Sequence, residues 1–227
     1  AILLAKADDL NHYVPDDVIE FIAHNSRQNI RELEGALNKV VAFRNANGAY
    51  INNSNTTTPR VVTITNSMGM NEFNKNTNGY GLWVQNYGPV VLKGISANEN
   101  LEVGVSVYSY NHTAASPITA DLITATGNGD TGIYFSINTT GPTTALGNIT
   151  IQNSYAFNNG LGFVGDGMTL RTSGNVTVKN SAAVGNHGNG LDIDVNLGVS
   201  LVTISNVAYG GNDVNNSPAN PPNLYIH

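Results

Sequence analysis

The sequence predicts a mainly β fold: a right-handed parallel β-helix of about six coils over residues 46–227, behind a small three-helix segment over residues 1–45. Three observations predict it. Charged residues thin out sharply after position 45. Six five-residue segments then recur every 26–31 residues. Within each segment apolar and polar residues alternate, as in a half-buried strand.

The composition shift places the boundary. Residues 1–45 hold 5 of the 10 Lys and Arg and 7 of the 16 Asp and Glu, and the remaining 182 residues hold only 14 charges. The second part is rich in Asn, Gly, Thr and Val instead. With no Cys in the chain, a disulfide framework and a thiolate metal site are both excluded. A net charge of −6 without clustered Lys and Arg argues against a nucleic-acid surface. No apolar run approaches the ~18 residues that a membrane-spanning helix needs.

The first segment reads as helices. Residues 2–10 form the first. Pro15 suits the start of a second, where Asp16 and Asp17 favour its N-terminal dipole and Val18, Phe21 and Ile22 follow helical spacing. Asn29 caps a third, with Glu32 completing a capping box and Ile30, Leu33, Leu37 and Val40 lining one face. Gly48 is the expected stop.

The run Asn29-Ile30-Arg31-Glu32-Leu33-Glu34-Gly35-Ala36-Leu37-Asn38 resembles the helical lid of the DnaA family of bacterial replication initiators, which are AAA+ ATPases. Ile2 to Ala7 and Pro15 to Ala23 are similar to the same lid, so the resemblance covers about the first 44 residues. It implies that Arg31 senses nucleotide phosphates. The sequence holds no G-x-x-x-x-G-K-[ST] phosphate loop and no basic helix-turn-helix after the lid. The segment is therefore expected to act as a cap or fusion partner. A replication-linked module and a recombined or artificial fusion are the alternatives.

The repeats come next. Val62–Asn66, Val90–Gly94, Ile118–Leu122, Ile149–Asn153, Val176–Asn180 and Val202–Asn206 align with apolar residues at positions one and three. Those side chains should point inward, and positions two and four outward. Position five, mostly Asn, suits a left-handed turn and cross-coil amide hydrogen bonds. A second strand follows with small inward residues at Gly69, Ala97, Ala125, Ala156 and Ala183, broken by Tyr209 in the last coil. Asn100, Asn128, Asn159, Asn186 and Asn212 mark the next turn.

A third strand, in most coils behind a Gly, begins at Leu82, Val105, Ile133, Met168, Leu191 and Leu224. Three stacked strands per coil resemble the parallel β-helix repeats of the pectate-lyase-like superfamily. The stack would rise about 29 Å. A sandwich of hairpins is the rival fold, but it would show two-residue Asn-Gly turns between adjacent runs.

Two outward columns on the third strands are the candidate surface. One is Trp83, Ser106, Tyr134, Thr169, Asp192, Tyr225; the other is Gln85, Tyr108, Ser136, Arg171, Asp194, His227. Trp83, Tyr108, Tyr134, Arg171 and Tyr225 are candidate ligand-binding residues, because aromatics among polar groups stack sugar rings. Outward Tyr and Thr also simply suit strands. Asp166, Asp192 and Asp194 with His187 are the best acidic cluster, since glycosidases need two carboxylates flanking the bond. Arg171 opposite Asp194, and Lys93 opposite Asp121, read as cross-coil ion pairs. Gly127-Asn128-Gly129-Asp130 is the nearest approach to a calcium loop, and it does not repeat. No cofactor and no metal is expected.

These readings favour a non-catalytic structural or adhesive solenoid, extracellular or at the cell surface. It would assemble end to end through open coil edges into an oligomer or filament. The alternative is a polysaccharide-active lyase or glycoside hydrolase.

Overall fold

The computed structural model describes residues 47–54, 60–66, 69–111, 116–139, 147–162, 164–195, 200–212 and 224–227. The helices expected over residues 1–45, and Arg31 with them, lie outside the described residues. All described residues belong to one unit, Asn47–His227. No helix among them is long and apolar enough to cross a membrane.

The described residues form strands β1 (Ala49–Asn53), β2 (Val62–Thr65), β3 (Asn71–Glu72), β4 (Leu82–Asn86), β5 (Val90–Ser96), β6 (Val105–Asn111), β7 (Ile118–Thr126) and β8 (Ile133–Thr139). The chain continues through β9 (Ile149–Gln152), β10 (Tyr155–Phe157), β11 (Met168–Arg171), β12 (Val176–Val184), β13 (Leu191–Asp194), β14 (Val202–Ala208) and β15 (Leu224–Ile226). One sheet has the order β1-β4-β6-β8-β11-β13-β15. The second runs β10-β12-β9-β7-β5-β2, with β14 on β12, β3 on β5, and β10 also on β7. The ladders are parallel throughout. Parallel neighbours need a crossover between them. Here the crossover is a visit to the other sheet, so the protein is mainly β with two parallel sheets.

For the first and third strands of each coil, the sequence alignment matches the ladder register residue for residue. Val62, Val90, Ile118, Ile149, Val176 and Val202 are successive partners in one sheet. Leu82, Val105, Ile133, Met168, Leu191 and Leu224 are partners in the other. Alternation in sequence becomes alternation in burial: Leu82, Val84, Val90, Val105, Val107, Ile133, Phe135, Ile149, Ile151, Leu170, Leu191 and Ile193 are fully buried in one continuous core. Each such side chain contributes about 1.5–3 kcal/mol by leaving water. The repeat with the smallest third residue, Ala120, carries the largest at the equivalent place of its other strand, Phe135. Core volume is thereby conserved along the stack.

Several expectations are corrected. The first and second strands are not separate in β5, β7, β12 and β14, which run on through a single left-handed residue: Gly94 (φ 65°), Leu122 (φ 58°), Asn180 (φ 47°) or Asn206 (φ 54°). Gly69 is exposed and does not join the column of small residues. Phe73 takes that place, because Asn71 pairs with Ile95 and the Phe73 amide donates to the Ser96 carbonyl. The third-strand sheet also gains a member, β1, whose Ala49 pairs with Leu82.

The amide ladder lies elsewhere than expected. At position five, the first turn, Asn206 bonds to Asn180 at 3.0 Å on the exposed surface, and Asn153 donates to Asp121 instead. The continuous ladder runs through the second turn: Asn76, Asn100, Asn128, Asn159, Asn186 and Asn212, all 5% exposed or less. Each Oδ1 from Asn100 onward accepts both the backbone N–H and the Nδ2 of the preceding Asn, as between Asn128 and Asn159 at 3.1 and 2.8 Å. The second Nδ2 proton goes to a carbonyl of the column of small residues: Asn128 to Ala97, Asn159 to Ala125, Asn186 to Ala156 and Asn212 to Ala183, at 3.0–3.2 Å. Both donors and both acceptor sites of an interior Asn are thus used. Asp lacks the donors.

The ladder dictates the glycines behind the third strands. A Cβ at Gly104 would sit 2.7 Å from Asn128 Nδ2, and one at Gly132 2.6 Å from Asn159 Nδ2. Gly81 and Gly167 stand in the same relation to Asn100 and Asn186.

Replacing Asn128 by Ala would leave the Asn100 backbone and side-chain amides without their acceptor and would take one of two donors from the Asn159 oxygen, which keeps the backbone N–H of residue 128. Asn128→Ala is expected to cost at least ~3 kcal/mol, since each orphaned buried group costs ~1–3. Urea denaturation checks this, with Asn206→Gly on the exposed turn, where glycine tolerates the left-handed φ of 54°, expected to stay within about 1 kcal/mol.

Candidate functional site

The parallel register of β4, β6, β8, β11, β13 and β15 lines up the two outward columns as the sequence places them. Against this face lies a cleft of about 250 Å³, lined by Tyr80, Val103, Ser106, Tyr108, Asp130, Thr131, Tyr134, Asp166, Thr169 and Arg171.

Of the expected ligand-binding residues, Tyr108, Tyr134 and Arg171 meet in this cleft. The Tyr108 and Tyr134 rings are 5.4 Å apart. Arg171 lies over the Tyr134 ring at 5.5 Å and its Nη1 donates to the Tyr134 hydroxyl at 3.4 Å. The guanidinium therefore turns to Tyr134. Although Arg171 and Asp194 are register partners, the ion pair expected between them is not made, whereas Lys93 and Asp121 approach to 3.6 Å. Trp83 stands outside the cleft, packed against Tyr50 at 4.7 Å and Tyr80 at 4.9 Å. Tyr225 is at the far end of the column, exposed, against the His227 ring.

Burial pushes the Tyr108 hydroxyl up to about 12, helped by Tyr134. It stays protonated and serves as a donor, not a base. Burial raises the Tyr80 hydroxyl as well, with Glu102 and Asp130 adding to the effect.

The acids separate into two groups. Asp166 is held by its surroundings: Oδ2 accepts from Thr169 Oγ1 at 2.8 Å and Oδ1 from the Asn189 amide at 2.7 Å. Burial still raises it above the ordinary carboxylate value, against the lowering effect of those two bonds. Asp192 is raised by burial and then by the charge of Asp166, while His227, 3.6 Å from its Oδ1, works the other way. Asp194 stands one register step beyond the cleft, opposite Arg171. His187 is exposed, and its backbone amide donates to the Asn159 carbonyl. It is not part of the cleft lining. In the Gly127–Asp130 turn the Asn128 side chain is consumed by the buried ladder, and Asp130 Oδ1 accepts from the Thr131 amide at 2.7 Å. No metal-holding cluster of His, Asp and Glu occurs among the described residues.

Three buried polar atoms on this face have no hydrogen-bond partner: Trp83 Nε1, Ser106 Oγ and Asp192 Oδ1. All three belong to the same outward column. Tyr80 and Asp130 are cleft residues that sequence reasoning did not select. Both flank the glycine column, at Tyr80-Gly81 and Asp130-Thr131-Gly132, and that position is the signal that could have found them.

A raised carboxyl binds its proton more readily folded than unfolded, so it lowers stability as pH rises above the ordinary carboxylate value of 3.8. Asp192→Asn removes this effect. Its melting temperature is expected to exceed that of the native chain at pH 7 and to converge with it on acidification below 3.8. Thermal denaturation across that range checks both ends.

Comparison with known proteins finds relatives that match a short segment of the chain. In the N-terminal region the chain is 55% identical over 51 residues to the chromosomal replication initiator protein DnaA of Chloroflexus aurantiacus, covering 22% of this chain and 11% of that protein. It is 69% identical over 39 residues to DnaA of Wolbachia sp. subsp. Brugia malayi, covering 17% of this chain and 8% of that one. DnaA of Chloroflexus aggregans is 55% identical over 47 residues, 21% of this chain and 10% of its own. The chain thus spans about a tenth of the length of these curated relatives. No protein-family profile and no solved structure matches the chain. The N-terminal resemblance to DnaA is homology over a short segment.

Proposed function

We propose that residues 47–227 form a right-handed parallel β-helix that works as a non-catalytic adhesive solenoid, meeting a surface glycan through the third-strand face. Alternation of successive strands between two all-parallel sheets supports the fold, and crossovers between parallel strands are right-handed in about 98% of cases. The observation that carries the function is the cleft lined by Tyr80, Tyr108, Tyr134 and the buried Ser106. Tyrosines offer a flat apolar face and a polar tip, which suits a sugar ring with its hydroxyl rim. The inner ladder holds these side chains in a fixed row, as an adhesive surface requires.

Assembly end to end through strand edges completes this reading. Among the described residues β14 pairs on one side only, with Leu201 beside it 64% exposed. Open parallel edges pair with other strands.

The second reading, a glycoside hydrolase, is favoured by one observation: neighbouring Asp166 and Asp192 are both raised, as a general acid must be.

Titration of the full chain with neutral and charged soluble oligosaccharides is expected to find a binder. Tyr108→Ala and Tyr134→Ala should each weaken it about tenfold. Unchanged binding in both variants would remove the cleft from the account. Product release abolished by Asp166→Asn would replace adhesion with hydrolysis. Electron microscopy of the concentrated protein should show filaments, and single particles at every concentration would remove the assembly part.

A further inference from the structure

The cleft is lopsided in charge. Asp130 and Asp166 line it, and each raises a neighbour, Asp130 acting on Tyr80 and Asp166, and Asp166 acting on Asp192. Glu102 adds to the field at Tyr80. The cation of the lining is Arg171, and its guanidinium is already engaged on the Tyr134 ring and hydroxyl. A ligand bearing carboxylates would bring like charge against Asp130 and Asp166.

An independent feature shows that the face is built for polar contact. Ser106 is 1% exposed, lines the cleft, and has no partner for its Oγ. A hydroxyl buried without a partner loses its hydration and gains nothing in exchange. A ligand hydroxyl would relieve it, because Oγ can both donate and accept. Thr169, the next lining hydroxyl but one along the column, is by contrast already bonded to Asp166.

Hydroxyls for Ser106, a positive charge for the acids and a ring face for the tyrosines occur together in one class of sugar. We propose that the cleft selects a glycan carrying free amino groups, with the ammonium drawn to Asp130 and Asp166 and the ring against Tyr108 and Tyr134. This rests on the adhesive reading of the same face and adds its specificity. Tyrosine faces favour the ammonium further through their ring quadrupoles. The carboxylate Oδ2 of Asp166 is shared with Thr169, so Asp130 is the freer partner.

The test is calorimetric titration of the full chain with three probes: glucosamine tetrasaccharide, its fully N-acetylated counterpart, and tetragalacturonate. The proposal expects the free-amine probe to bind at least about tenfold more tightly than either other, with the preference shrinking as salt rises. Asp130→Asn keeps the acceptor for the Thr131 amide and should bring the free-amine affinity down to the N-acetylated level. Ser106→Ala should weaken both amine and N-acetyl probes alike. Equal binding of the amine and N-acetylated probes overturns this inference and leaves the adhesive reading standing. Preference for tetragalacturonate overturns it with the same consequence. Binding of none of the three, or of any other soluble glycan, overturns both.

Discussion

The buried row of asparagine amides is the constraint on which the rest of the structure depends. Six carboxamides in register satisfy one another and the backbone around them, with Asn128, Asn159 and Asn186 using every side-chain donor and acceptor they have. A polar group buried so deeply is tolerable only when fully paired. One step in the ladder fixes the next, because an Oδ1 that accepts two bonds leaves no freedom of rotation. The columns beside it follow. Glycine stands where a Cβ would strike Nδ2, and backbone carbonyls of the neighbouring column take the second amide proton. Single residue types are therefore demanded at positions with little hydrophobic content of their own.

From this inner constraint the outer face is set. Strands that repeat in register inside must repeat in register outside. The side chains of β4, β6, β8, β11, β13 and β15 thus form straight outward rows without any contact needed to align them. The rows differ in how far their members are satisfied. The Trp83 ring is packed by Tyr50 and Tyr80, and the Arg171 guanidinium by Tyr134, whereas Trp83 Nε1, Ser106 Oγ and Asp192 Oδ1 are buried without a hydrogen-bond partner. Where packing cannot account for a buried polar atom, a ligand is the next account to try.

How much of this was legible in the sequence divides along the same line. The strand registers could be read to the residue, because period-two alternation is forced by the core at Val62, Val90, Ile118, Ile149, Val176 and Val202. The first repeat was misread at Gly69, since a small residue looked right for the column that Phe73 occupies. The Asn columns were both visible, yet which one carries the buried ladder was not, because the two turns share a residue type and differ only in depth. The site was the least legible part. Arg171 faces Asp194 in register but bends to Tyr134, a choice made by side-chain rotamers. Tyr80 and Asp130 lie outside the strands altogether, so no alternation pointed to them. The DnaA-like segment was legible for a different reason: its resemblance is local and dense, at 55–69% identity over 39–51 residues.

Hydrogen exchange measured by NMR on the side-chain amides is the most direct test of the central claim. If the ladder governs the fold, the Nδ2 protons and backbone amides of Asn100, Asn128, Asn159 and Asn186 should be among the slowest to exchange in the β unit. The Nδ2 protons of Asn206, on the exposed turn, should exchange at the rate of free amides. Rapid exchange of the four interior carboxamides, as fast as that of Asn206, would contradict the account.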